Sequence, residues 1–174
     1  LQSAIQELLK NHDQEHARFR LVVYREATGF YKPMDQKSSW HLSVSGSVPP
    51  SYQISEAGLS ADVFEDDYKT CGLLSNLKTL NSLIYVCAGI KAAKNGFDDM
   101  FIKNDNGHII ESINSNLFLR KGISFTTPPL SEGCLDGVMR KQVIGLLQKY
   151  NVTVTETPAK LEDVIAADEL ILTN

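Results

Sequence analysis

Leu77-Lys78-Thr79-Leu80-Asn81, Ile110-Glu111-Ser112-Ile113-Asn114-Ser115-Asn116 and Gly133-Cys134-Leu135-Asp136-Gly137-Val138-Met139-Arg140 are the stretches around which the chain is organised. In chain order they supply an amine, a carboxylate that follows an apolar strand, and a glycine turn that opens a helix. Lys78 lies between a Gly/Ser/Asn-containing stretch, Cys71 to Asn76, and an apolar helical run. An amine in such a place can be partly desolvated and so made nucleophilic. Glu111 ends the strand-like His108-Ile109-Ile110 and begins a small polar turn, so a rigid element can aim its side chain into a pocket. Gly137 with the amides of Val138 and Met139 offers N–H groups and the positive end of a helix dipole, which favour an anion.

An amine, an acid and an anion cradle are what pyridoxal phosphate requires. The cofactor works as an electron sink, so a protein must offer a lysine for the Schiff base, an acid that keeps the ring nitrogen protonated, and a phosphate site. Taken singly, each residue has a plainer reading. A lysine before a helix and a glutamate after a strand are ordinarily solvated surface charges, and Asp-Gly before a helix is ordinarily a turn and cap signal.

Read together, the segments resemble one family. From Ser75 to Asn174 the chain is similar to the cofactor-binding part of the class IV pyridoxal phosphate enzymes: branched-chain aminotransferases, D-amino acid aminotransferases and 4-amino-4-deoxychorismate lyases. The resemblance is carried by Leu-Lys-Thr-Leu-Asn at 77–81, Glu-Ser-Ile-Asn-Ser-Asn-Leu-Phe at 111–118, Thr-Pro-Pro-Leu at 127–130, Gly-Val-Met-Arg at 137–140 and Ala-Asp-Glu-Leu-Ile-Leu-Thr-Asn at 167–174. It implies that Lys78 is the Schiff-base lysine, Glu111 the partner of the pyridine nitrogen, and Ser115 and Asn116 part of the turn beside the cofactor. Gly137, Val138 and Met139 would form the phosphate turn. It implies an α+β protein of fold type IV, with a barrel-like cofactor domain flanked by helices. The expected activity is transfer of an amino group between an amino acid and a 2-keto acid, in a homodimer with the site near the subunit boundary. Family aminotransferases usually carry Gly-Ile-Thr-Arg where this chain has Gly137-Val138-Met139-Arg140, which looks closer to the lyases that release pyruvate and 4-aminobenzoate. Arg20 falls where some relatives place a basic residue that meets the substrate carboxylate; a planar guanidinium suits that role, and a solvent-facing strand arginine is the plainer alternative. The family carries further sequence before Leu1, including a phosphate-contacting arginine, and a further phosphate loop after Asn174. The chain therefore reads as a fragment, and an inactive fragment is a third alternative.

Length and composition set the bounds. With 174 residues, 43% of them hydrophobic, the chain can bury a core. Its 17 basic and 21 acidic residues give a net charge of −4 with no long run of either sign, which argues against nucleic acid and anionic membrane as partners. Cys71, Cys87 and Cys134 are odd in number and lack CxxC spacing, which points away from a disulfide framework or cysteine metal site and toward reduced thiols in a cytoplasmic protein. No apolar run approaches the roughly 18–20 residues of a membrane span. His12-Asp13-Gln14-Glu15-His16 has the HxxEH spacing of zinc proteases. It sits where a helix ends and no apolar stripe continues through it, so no metal is expected.

The remaining pattern predicts a helix over 3–11 and strands over Phe19–Glu26 and Trp40–Gly46. A Gly46-Ser47-Val48-Pro49-Pro50-Ser51 linker would then divide a remnant α+β domain, 1–48, from the cofactor domain, 49–174. After it come a strand at Leu59–Phe64 and a helix at Leu80–Lys94 whose Leu80, Leu83, Ile84, Cys87, Ile90 and Lys91 share a face. Asn104-Asp105-Asn106-Gly107 and Lys121-Gly122 mark two hairpins. A helix at Val138–Tyr150, a strand at Val152–Thr155, a short helix at Leu161–Ala166 and a strand at Glu169–Thr173 complete the pattern.

Overall fold

The computed structural model describes residues 1–10, 17–46 and 56–174. The chain divides into two compact units, Leu1–Glu56 and Ala57–Asn174. His12 to His16, and most of the proline-containing linker, lie outside the described residues.

The first unit holds helix α1 (Gln2–Lys10) and strands β1 (Arg18–Arg25) and β2 (Ser38–Ser45). The two strands pair antiparallel over their whole length, from Arg18 opposite Ser45 to Arg25 opposite Ser38. Gly29 permits the tight connection between them: its φ is 99°, and a Cβ there would lie 2.6 Å from the Lys32 carbonyl oxygen.

The second unit is a seven-stranded mixed sheet with helices, in agreement with the α+β expectation. Its elements are β3 (Ala61–Val63), α2 (Leu83–Asn95), β4 (Asp99–Lys103), β5 (Ile109–Ser112), β6 (Asn116–Lys121), β7 (Ser124–Thr127), α3 (Val138–Lys149), β8 (Val154–Glu156), α4 (Leu161–Ile165) and β9 (Glu169–Thr173). The strands follow the order β3-β4-β5-β6-β7-β8, and β9 adds to β6. Because β9 pairs with β6 from Asn116 to Arg120, β5 and β7 divide the other edge: Asn116 pairs with Glu111, and Leu119 to Lys121 pair with β7.

Strand periodicity sorts the core into two faces. Phe101 of β4, Ile109 of β5 and Leu117 and Leu119 of β6 pack with Val63, Ala159 and Val164 on one side. Met100 and Ile102 of β4 turn the other way, onto Ala88 and Ala92 of α2. Met100, Ile102, Ile109 and Leu117 are fully buried, each stabilising the fold by about 1.5–3 kcal/mol relative to exposure.

Helix α2 departs from expectation in two ways. It begins at Leu83 rather than Leu80, which leaves Lys78 to Asn81 non-helical. Its buried face is Ala88 and Ala92 with Ile84 and Tyr85 beside them, while Leu83, Cys87 and Ile90 are exposed. The small alanines let the helix lie close on β4, so packing distance decides the face rather than side-chain hydrophobicity.

Candidate functional site

Glu111 of β5, Asn116 of β6 and Thr173 of β9 stand in one row: Glu111 pairs with Asn116, and Asn116 with Thr173. Directly opposed residues of antiparallel strands share a face. The row meets the loop ahead of α3. Glu111 Oε2 accepts a 2.7 Å hydrogen bond from the Leu135 amide, and Asn116 Nδ2 donates to the Leu135 carbonyl at 2.8 Å. Gly137 packs so closely that a Cβ would fall 2.0 Å from Asn116 Oδ1. Its φ of −69° and ψ of 139° suit any residue, so close approach and not backbone freedom demands glycine here.

The loop is fixed from several directions. The Leu130–Glu132 turn closes on Gly133, whose φ of 89° is left-handed and where a Cβ would lie 3.1 Å from Cys71 Sγ. Glu132 Oε2 takes a hydrogen bond from Asn104 Nδ2 at 2.6 Å and lies 2.7 Å from His108 Nδ1.

Lys78 follows a turn tied to the same loop. Asn76 Nδ2 donates to the carbonyls of Leu130 (2.9 Å) and Cys134 (2.6 Å), and the Asp136 amide donates to the Asn76 carbonyl at 3.0 Å. Lys78 thus stands two residues beyond a rigid junction, and it is exposed rather than partly desolvated. Glu111, Asn116 and Gly137 are brought together directly. Ser115 joins through its carbonyl, which accepts from the Ser112 amide at 2.8 Å. Val138, exposed, and Met139, half-buried, open α3 behind Gly137. Arg20 belongs to the other unit, exposed on β1 opposite Ser43.

Sequence reading missed two residues around Glu111. Lys69 Nζ lies 2.7 Å from Glu111 Oε1, with the lysine side chain 14% and the glutamate 3% exposed. Tyr85 of α2 donates its hydroxyl to the same oxygen at 2.6 Å. Burial, and then the neighbouring carboxylate, push the Tyr85 phenol far above its usual range, so it stays a donor. Cys134, nearby in the loop, has its thiol pushed up to about 11 chiefly by burial and is uncharged at neutral pH. Lys69 sits 42 residues from Glu111, after the acidic stretch Glu65-Asp66-Asp67, and nothing in that local sequence marks it as a partner of Glu111.

These residues fit a ring cofactor with an anionic group. A buried carboxylate heads the row, and Gly137 stands at the start of a 12-residue helix, whose dipole favours an anion there. Thr173 Oγ1, opposite Asn116, is buried without a partner among the described residues. Asp136 next to the cradle is offset by Lys141, 2.6 Å away. Among the described residues, no cluster of three or more His, Cys, Asp or Glu could hold a metal ion, and no helix is long and apolar enough to cross a membrane.

The family model "Amino-transferase class IV" matches residues 1–174. A candidate branched-chain-amino-acid aminotransferase of Methanocaldococcus jannaschii is 37% identical over 97 residues, 56% of this chain and 34% of the relative. The branched-chain-amino-acid aminotransferase of Escherichia coli K12 is 30% identical over 93 residues, 53% of this chain and 30% of the relative. Among solved structures, a candidate 4-amino-4-deoxychorismate lyase of Legionella pneumophila superposes with a TM-score of 0.85 at 23% identity, covering 99% of this chain and 63% of that one. An aminotransferase from Brucella abortus bound to pyridoxal phosphate gives 0.80 at 22% identity, covering 99% and 62%. The matches thus span about a third of the length of these curated relatives.

Proposed function

The chain belongs to the class IV aminotransferases, and from that premise we propose that it is part of a pyridoxal phosphate enzyme that moves an amino group between an amino acid and a 2-keto acid. The observation that carries the reading is the buried Glu111 carboxylate, aligned with Asn116 and held by the Leu135 amide beside the Gly137 turn. When bound, pyridoxal phosphate supplies an electron sink for carbanionic charge at the amino acid's α-carbon.

The chain's own residues divide the work. Glu111 holds a proton at the ring nitrogen's position by presenting a charged acceptor in a dry site, where such a bond is strongest. Gly137 lets the backbone approach, and the Val138 and Met139 amides with the α3 dipole bind phosphate. Asn116 shapes that turn, and Ser115 carries the backbone into it. Lys78, exposed on its non-helical segment, supplies the amine. Arg20 would receive the substrate carboxylate. The protein would work in the cytoplasm as a homodimer: Leu73, Leu77, Leu80, Leu83 and Ile90 are each exposed, and apolar side chains of this kind are what a second copy covers.

Met139 favours a second reading, the 4-amino-4-deoxychorismate lyase, because a threonine hydroxyl is absent from the turn. Product analysis decides. Exchange of amino groups between an amino acid and a keto acid supports the transaminase. Release of pyruvate and 4-aminobenzoate without such exchange supports the lyase.

A further inference from the structure

Among the described residues, Glu111 receives three donors: Leu135 N on Oε2, and Tyr85 Oη and Lys69 Nζ together on Oε1. Only Lys69 brings charge. Its placement is built: the Lys69 amide donates to the Lys103 carbonyl at 2.9 Å, Lys69 bridges to Asn104 at the end of β4, and its ammonium lies 5.6 Å from the Tyr85 ring centroid. The chain therefore contains a second lysine, distinct from Lys78, pinned against the buried carboxylate.

We propose that Lys69 is a positioning residue that supplies the counter-charge of Glu111, keeps it an anion, and so directs a proton shared with the cofactor's ring nitrogen onto the ring. A carboxylate this buried is costly unless paired. The groups facing it are Lys69 from the segment after β3, Tyr85 from α2 and Cys134 from the loop before α3; phenol and thiol are both neutral. Lys69 is thus the cation that balances it. The ammonium touches Glu111 itself, 2.7 Å from Oε1, and a ring nitrogen bound by this carboxylate would meet that charge only through it. It therefore disfavours a proton on Glu111 more than one on the ring.

The ring half of this inference rests on the pyridoxal phosphate reading, and the experiment separates the two. In the intact cofactor-free protein, Lys69→Met and Lys69→Gln each remove the charge, and Gln retains a donor. Infrared spectra at neutral pH should show a protonated-carboxyl band in both variants that disappears in Lys69→Gln/Glu111→Gln and is absent from wild type and Lys69→Arg. Absence of the band from both neutral variants overturns the proposal, whatever the cofactor does. With ring-15N pyridoxal phosphate bound, the nitrogen signal should move toward the unprotonated pyridine position in Lys69→Gln and return in Lys69→Arg. An unmoved signal overturns the ring half. Failure of the wild type to bind pyridoxal phosphate sinks the proposed function instead, and the infrared arm still decides the role of Lys69.

Discussion

Gly137 and Asn116 are in mutual contact so close that a single methyl on Gly137 would lie 2.0 Å from Asn116 Oδ1. Gly137→Ala must push away either Asn116 or the start of α3. We expect a loss of about 1–3 kcal/mol, typical of overpacking, read as a lower Tm, together with weaker binding of pyridoxal phosphate than of pyridoxal. Unchanged Tm and unchanged phosphate preference would remove Gly137 from the cradle.

Asn76 bonds two carbonyls of the loop that carries Leu135 and Gly137. Asn76→Ala leaves the Leu130 and Cys134 carbonyls without this donor, at a cost of about 1–3 kcal/mol. Activity should fall further than stability, because Lys78 stands two residues beyond the junction. Equal activity per folded molecule would show that the junction does not position Lys78.

Glu111→Gln replaces an anion by a neutral amide in contact with Lys69. Cofactor binding should partly survive while kcat falls roughly ten- to a hundredfold, the equivalent of losing one charge-assisted hydrogen bond of about 1.5–3 kcal/mol. Full activity would count against Glu111 as the ring-nitrogen partner.

Burial holds the Cys134 thiol at about 11 against an ordinary 9.0. The unfolded chain therefore releases this proton first as pH rises, so the folded state loses stability between about pH 9 and 11, by up to about 2–3 kcal/mol. The decline in Tm over that window should be smaller in Cys134→Ala. An identical decline in both would mean that other groups cause it.

Much of the architecture was legible because local chemistry and tertiary demand agree. Asn104 to Gly107 and Lys121-Gly122 make the hairpins where turn residues say they should, and β1, β2 and α3 lie within two residues of expectation. The face of α2 was misread because Leu83 and Ile90 look like core, yet the residues that meet the core are Ala88 and Ala92, with Ile84 and Tyr85 beside them. The strand that carries Glu111 was legible from Ile109-Ile110, although it runs on through Ser112 rather than ending at Glu111. Lys69, Tyr85 and Asn76 were not, since each acts through a contact with a residue 26 to 58 positions away that exists only once the sheet and loop assemble.

The most direct test of the account asks which lysine carries the cofactor. The intact protein would be loaded with pyridoxal phosphate, reduced with borohydride, digested and mapped by mass spectrometry. One pyridoxyl-modified residue, Lys78, is expected, with Lys69 unmodified. Modification of Lys69, or no specific adduct at all, would contradict it.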